Sequence, residues 1–184
     1  TPEILSKISE KGGMISFLQL HIGAGTFQPV SDKLLGNHKM HSEEVSISIE
    51  TIKSLMNKFD TIAIGTTATR ALESLYWITL ELFNNDIELN HLDQWIPYKK
   101  HKNYLNRMDS LEYIHNYLIS KQKTSIQFST SLLIVPGYEF RFVDLLLTNF
   151  HQPKSTLLLL IAAAVGDKWK AIYDYALQMN FRFL

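Results

Sequence analysis

Residues 61–83 read TIAIGTTATRALESLYWITLELF. A short apolar strand ends at Gly65, and a long helical stretch runs from Ala68 to Phe83 without glycine or proline. Thr66 or Thr67 is placed to cap that helix, because a threonine oxygen can accept from a free N–H of the first turn. Strand, tight turn and long helix in immediate succession are the unit of an α/β fold.

The same alternation continues outward. Upstream, MISFLQLHIG reads as a buried strand and EVSISIE as a half-buried one, with Val45, Ile47 and Ile49 on one face. ETIKSLMNKF then places Ile52, Leu55, Met56 and Phe59 at helical spacing. At the start, Thr1 caps a short helix that has Pro2 in its first position and Gly12-Gly13 at its end. Downstream, a loop holds Pro97, and DSLEYIHNYLIS forms a helix capped by Asp109 or Ser110. SLLIVPGYEFRFVDLLLTNF reads as two strands around a turn at Pro136-Gly137. A buried helix starts at Pro153, and DKWKAIYDYALQM gives a last amphipathic one. The expectation is an α/β fold with a mostly parallel sheet and helices on both faces.

Bulk composition narrows the function classes. The 184 residues are 46% hydrophobic and 20% charged, with a net charge of zero. That is an ordinary globular balance, and global charge does not advertise a nucleic-acid partner. The absence of cysteine excludes disulfides and thiolate metal sites and fits a reducing cytoplasm. The longest apolar run, Leu157 to Val165, is too short to span a bilayer, and no signal peptide opens the chain. The closing FRFL stops abruptly after a helical stretch, so a piece of a larger protein is expected.

In α/β sheets functional loops gather at the carboxyl ends of strands. HIGAGTF, GTTATR and TNFHQPKST are the loops that end strands here, whereas HKMHSEE precedes one. Gly23-Ala24-Gly25 resembles a dinucleotide turn, but Gln28 stands where a third glycine belongs. Pro29 also removes an N–H that should face a pyrophosphate. The choice is between a ligand loop of another kind and a glycine turn that relieves crowding.

Arg70 falls in or near a first helical turn, where a cation opposes the helix dipole, and Lys154 after Pro153 repeats the pattern. Either an anionic ligand offsets this cost, or the two are solvated surface cations, with an Arg70–Glu73 pair as a further alternative. His38 and His41 are three apart, a spacing that serves one metal ion only on a helix, and Gly36 argues for a loop. Acid–base work by His41 or Glu43 competes with a histidine that merely bonds across its loop. His151 and Asn149 lie between a strand and a helix, suited to ligand recognition or to satisfying loop backbone. WIPYKKHKNYLNRM carries Lys99, Lys100, Lys102 and Arg107 among Trp95, Tyr98 and Tyr104, with no acid from Ile96 to Met108. Such a mixture suits phosphates and unstacked bases, or is a solvated loop.

Taken together and in order, LHIGAGTFQPV, HKMHSE, GTTATRALES, PGYEFRFVD and TNFHQPKSTLLLL resemble the S-adenosylmethionine:tRNA ribosyltransferase-isomerases of queuosine synthesis. GTTATR stands where GTTSVR is more usual, and Gln152 where leucine is common. The resemblance implies that 1–184 is a single α/β domain, the C-terminal portion of a larger enzyme, with a longer helical and loop insertion over 84–124. It implies a transferase and isomerase that moves the ribosyl unit of S-adenosylmethionine to the 7-aminomethyl-7-deazaguanine of the tRNA wobble position. Epoxyqueuosine-tRNA would form, with release of adenine and methionine. The competing classes are a non-catalytic RNA-binding module and another nucleotide-dependent enzyme.

On the matched motifs, His41, Glu43 and His151 become the expected acid–base groups. The expected substrate contacts are His21, Gly23, Gly25, Thr26, Phe27, Thr66, Thr67, Arg70, Asn149 and Lys154. No metal and no cofactor beyond the co-substrate S-adenosylmethionine are implied. Partners would be tRNA and S-adenosylmethionine without a membrane, in the cytoplasm. A piece of the enzyme is expected to self-associate weakly through exposed apolar surface and to catalyse little alone.

Overall fold

A computed structural model describes residues 1–21, 36, 38–57, 59–86 and 90–183. In chain order the elements are α1 (Pro2–Glu10), β1 (Gln19–His21), β2 (Glu43–Ser48), α2 (Ile49–Leu55), β3 (Ile62–Ile64), α3 (Thr66–Asn85) and β4 (His91–Leu92). A 3-10 turn at Ile96–Tyr98 leads to α4 (Arg107–Ser120), β5 (Ser125–Thr130), β6 (Leu145–Leu147), α5 (Thr156–Val165) and α6 (Trp169–Gln178).

The α/β class holds, but strand pairing is mixed rather than mostly parallel. One sheet has the order β1-β2-β5-β4, and β3 pairs with β6 in a second. β1–β2 and β2–β5 are antiparallel, whereas β4–β5 and β3–β6 are parallel. The reason is visible in the strands themselves. β2 buries Glu43, Val45 and Ile47 and leaves the alternate residues more open, and β5 buries Ile126, Phe128 and Thr130 in the same way. Strict alternation marks a sheet wetted on one face, which antiparallel pairing tolerates.

Val45, Ile47, Ile126, Phe128 and Leu92 meet Ile52 of α2, Leu75 and Tyr76 of α3, and Leu160 of α5 in one apolar core. Leu111, Ile114 and Leu118 of α4 enter the same core at helical spacing. Thus the segment 84–124 supplies both a strand and a core helix. α3 is covered around most of its circumference, so even Thr69, Arg70, Glu73, Ser74 and Thr79 are buried along it.

Several local expectations are corrected. Among its described residues, MISFLQLHIG yields only the short β1, with Gln19 and His21 exposed. α3 is preceded by Gly65 as its N-cap, at φ 96°, a conformation open to glycine, so neither Thr66 nor Thr67 caps it. α4 is capped by Asn106, whose side chain accepts from the Asp109 N–H, rather than by Asp109 or Ser110. SLLIV is not a strand; the strand lies just before it as SIQFST, and Leu132, Leu133 and Ile134 are buried in irregular chain. α5 begins at Thr156 with Ser155 as its cap, so Pro153 and Lys154 belong to the preceding turn. Among the described residues no helix is long and apolar enough to cross a membrane.

Candidate active site

The antiparallel direction of β2 decides where the site forms. Its first residue, Glu43, is paired with Thr130, the last of β5, and Leu92, the last of β4, also pairs with Thr130. His21, the last of β1, pairs with Glu44. The start of β2 therefore shares an edge with the carboxyl ends of β1, β4 and β5. HKMHSE, although it precedes its strand, is delivered to the edge where strand-end loops collect.

Gln94 fixes the approach of that stretch. Its side-chain oxygen accepts from the Met40 N–H at 2.8 Å, and its amide donates to the His38 carbonyl at 2.9 Å. One side chain so imitates a strand neighbour for residues 38–40. An open depression of about 590 Å³ lies here, with His38, His91, Asp93 and Trp95 among its walls. Sequence reading missed Gln94, and its only signal was a polar residue two positions after a short strand.

His41, Glu43 and Arg70 are brought together. His41 Nε2 lies 3.1 Å from Glu43 Oε1 and 3.2 Å from Arg70 Nη1. Arg70 Nη2 lies 3.4 Å from Glu43 Oε2. Arg70 is 2% and Glu43 1% exposed, whereas the His41 side chain keeps 17% exposure. Burial pushes the Arg70 guanidinium down from its ordinary value and the Glu43 charge opposes this. An arginine nevertheless stays protonated in proteins, so Glu43 is the counter-charge that makes its burial tolerable.

The two contacts at His41 Nε2 make opposite demands. Arg70 can only donate, so that bond needs an unprotonated Nε2; an ionised Glu43 can only accept, so that bond needs Nε2–H. A single proton at Nε2 thus exchanges one partner for the other. That is a usable arrangement for taking up and releasing a proton.

Arg70 is the fifth residue of α3, one position beyond the first turn, and the anion it faces here is Glu43. The Arg70–Glu73 pair does not form. Glu73 Oε1 accepts from the Phe142 and Val143 N–H groups, and Oε2 accepts from Tyr138 Oη and the Arg141 N–H. Burial pushes the Glu73 carboxyl up, and these four donors oppose the shift. Lys154 is exposed ahead of the α5 cap, not in its first turn, because Ser155 takes the cap position.

β3 and β6 are parallel neighbours, and the Gly65 N–H donates to the Leu147 carbonyl at 2.8 Å. Thr66 and Thr67 therefore leave one strand beside Thr148 and Asn149 leaving the other. His151 bonds within its own loop, with Nε2 2.9 Å from Thr148 Oγ1. Burial pushes its imidazole below the ordinary value. Asn149 is exposed, and His21 is exposed in β1 opposite Glu44. Gly23, Gly25, Thr26 and Phe27 lie outside the described residues. Among the described residues no three His, Asp or Glu side chains gather as a metal site would need.

A family model described as queuosine biosynthesis protein matches residues 1–184. An S-adenosylmethionine:tRNA ribosyltransferase-isomerase of Rickettsia bellii (strain RML369-C) is 35% identical over 188 residues, covering 100% of this chain and 41% of its own length. The protein of that name from Rickettsia typhi is 38% identical over 189 residues, covering 100% of this chain and 39% of its own length. A crystal structure of S-adenosylmethionine tRNA ribosyltransferase from Thermotoga maritima aligns with a TM-score of 0.58 and 25% identity, over 100% of this chain and 46% of that one. The chain spans about two-fifths of the length of the curated relatives it matches. A match along its whole length places it plainly: the chain belongs to the queuosine biosynthesis protein family.

Proposed function

We propose that this chain carries catalytic groups of a ribosyl transfer and isomerisation on tRNA, with S-adenosylmethionine as the ribosyl donor. The observation that supports the reading is the His41–Glu43–Arg70 group, seated at the loop-bearing sheet edge of a chain that belongs to this family. The acceptor is the 7-aminomethyl-7-deazaguanine of the wobble position, and adenine and methionine leave.

The chemistry needs a proton removed beside the sulfonium and a proton returned to departing adenine. His41 moves a proton, and Glu43 and Arg70 position its ring through Nε2. His151, neutral at physiological pH because burial disfavours its cation, is suited to accept a proton before it donates one. Thr66, Thr67, Asn149 and the Gly23–Phe27 stretch contact substrate, and Lys154 meets an anionic group. No metal and no cofactor beyond S-adenosylmethionine enter this reading, and the enzyme it describes works in the cytoplasm.

The test follows adenine release from S-adenosylmethionine, and transfer of ribose label to tRNA, in a protein carrying this chain at the length of its relatives. Both products in equal amounts are expected. Label-free tRNA with intact S-adenosylmethionine would leave a non-catalytic RNA-binding module as the better reading. The chain alone is expected to turn over at least about 10²-fold more slowly, since misplaced or missing support costs that much.

A further inference from the structure

Two turns along α3 from Arg70, about 10 Å by helical rise and on nearly the same face, Trp77 reaches a second concavity. This pocket of about 440 Å³ is lined by Trp77, Tyr98, Tyr104, Tyr138, Glu139 and Arg141. We infer that it holds a nucleobase of single-stranded RNA, with Lys99, Lys100 and Lys102 taking the adjoining phosphates. The inference rests on the RNA-directed reading above and adds a site that the ribosyl-transfer chemistry does not require.

The walls are aromatic, and the polar atoms of Trp77, Tyr98 and Tyr138 are already occupied. Trp77 Nε1 donates to Tyr138 Oη, which donates on to Glu73. Tyr98 Oη donates to the Leu133 carbonyl and accepts from the Val135 N–H. These rings therefore offer π surface rather than hydroxyl chemistry. The Arg141 guanidinium lies 5.3 Å from the Tyr76 ring, 5.8 Å from Trp77 and 6.0 Å from Tyr104. A cation already sits among these rings, so a cationic guest is disfavoured, and a flat neutral ring can stack on Tyr104 and the guanidinium plane.

The rim presents mixed hydrogen-bonding edges. Arg141 Nη2 is paired with the exposed Glu139 Oε2 at 3.0 Å. That pair sets a donor beside an acceptor, which suits a base edge that carries both. Tyr104 is 53% exposed, so a base can enter from solvent. Lys99, Lys100 and Lys102 are exposed, and none forms an ion pair among the described residues. Arg107, the fourth cation of the stretch, is instead spent on Asp144 at 2.7 Å. Three free cations strung beside one ring pocket favour a polymer of phosphates over a lone nucleoside.

The experiment measures binding of a labelled single-stranded RNA of about ten nucleotides to the full chain by fluorescence anisotropy, across a salt series. Tyr104→Ala is expected to weaken binding roughly 5- to 150-fold, and Tyr104→Trp to retain it, because a stacked base depends on the ring. Replacing Lys99, Lys100 and Lys102 together by alanine should flatten the slope of log affinity against log salt by about 2, at roughly 0.7 per phosphate contact. A Tyr104→Ala protein with an unchanged circular dichroism spectrum and unchanged RNA affinity overturns the pocket while leaving ribosyl transfer, read by adenine release, intact. Unsubstituted chain that binds no RNA overturns the pocket, while the ribosyl-transfer reading stands or falls on adenine release at the length of the relatives. Loss of S-adenosylmethionine binding in Tyr104→Ala, with RNA binding intact, overturns the inference in favour of the small co-substrate.

Discussion

At the scale of single residues, Arg70 and Glu43 form a buried ion pair at 3.4 Å. Removing one partner of such a pair strands a charge in a low-dielectric interior, which costs about 3–5 kcal/mol. Arg70→Ala is expected to lower the free energy of urea unfolding by an amount of that order, whatever it does to substrate. A change under about 1 kcal/mol would mean that the pair is as weak as a surface one. His151 gives a second prediction. Burial lowers its pKa from 6.5, so the folded protein binds fewer protons there than the unfolded chain. Stability from this group is present above about pH 6.5 and is lost as the pH falls toward the lower folded value. The imidazole Cε1–H resonance should titrate below 6.5, and His151→Gln should flatten the loss of stability between pH 7 and pH 5. Neither partner of Arg70 was legible in the sequence. Residue 73 is one helical turn from residue 70 and looked available, while Glu43 becomes a neighbour only through the antiparallel register of β2.

Elements were more readable than their pairing. The helical spacing of α2, α3 and α4 and the alternation of β2 are local properties, and the structure keeps them. Pairing direction depends on which faces are wetted, and the alternation in EVSISIE was already its signal. Caps were misplaced by one to four residues because Gly65 and Asn106 also satisfy helix starts. The irregular chain after β5 was read as a strand because it is apolar and buried; what satisfies part of its continuation is a side chain. Glu73 of α3 accepts three backbone N–H groups from Arg141 to Val143, and the tyrosine hydroxyl of Tyr138. Glu73→Gln replaces one acceptor oxygen by a donor that faces other donors. Leaving buried groups unmatched costs about 1–3 kcal/mol each, so a loss of roughly 2–4 kcal/mol is expected in chemical unfolding. An unaltered midpoint would show that the segment is held by its apolar side chains alone.

For the whole molecule, the two-stranded β3–β6 sheet is the conspicuous departure from rule. Parallel strands are normally covered on both faces, yet Ile62 is 58%, Ile64 66%, Leu145 54% and Leu147 61% exposed. These four side chains form a contiguous apolar face on neighbouring strands. The chain in isolation is expected to self-associate through it at micromolar concentration, and Ile64→Lys with Leu147→Lys should return it to monomer in sedimentation velocity. Association unaffected by the double substitution would place the contact elsewhere. The family was legible from the order of its motifs along the chain. The site was half legible: the motifs named His41, Glu43 and Arg70, but only the fold shows that they touch.

That contact is the centre of the account, and one measurement addresses it most directly. Adenine release from S-adenosylmethionine, in the presence of tRNA bearing the 7-aminomethyl base, is compared between the unsubstituted protein and His41→Ala at the length of the relatives. A positioned acid–base group contributes about 10²–10⁴-fold, so a fall within that range is predicted, with tRNA affinity unchanged. Turnover within a few-fold of the unsubstituted protein would contradict the assignment of proton transfer to the His41–Glu43–Arg70 group.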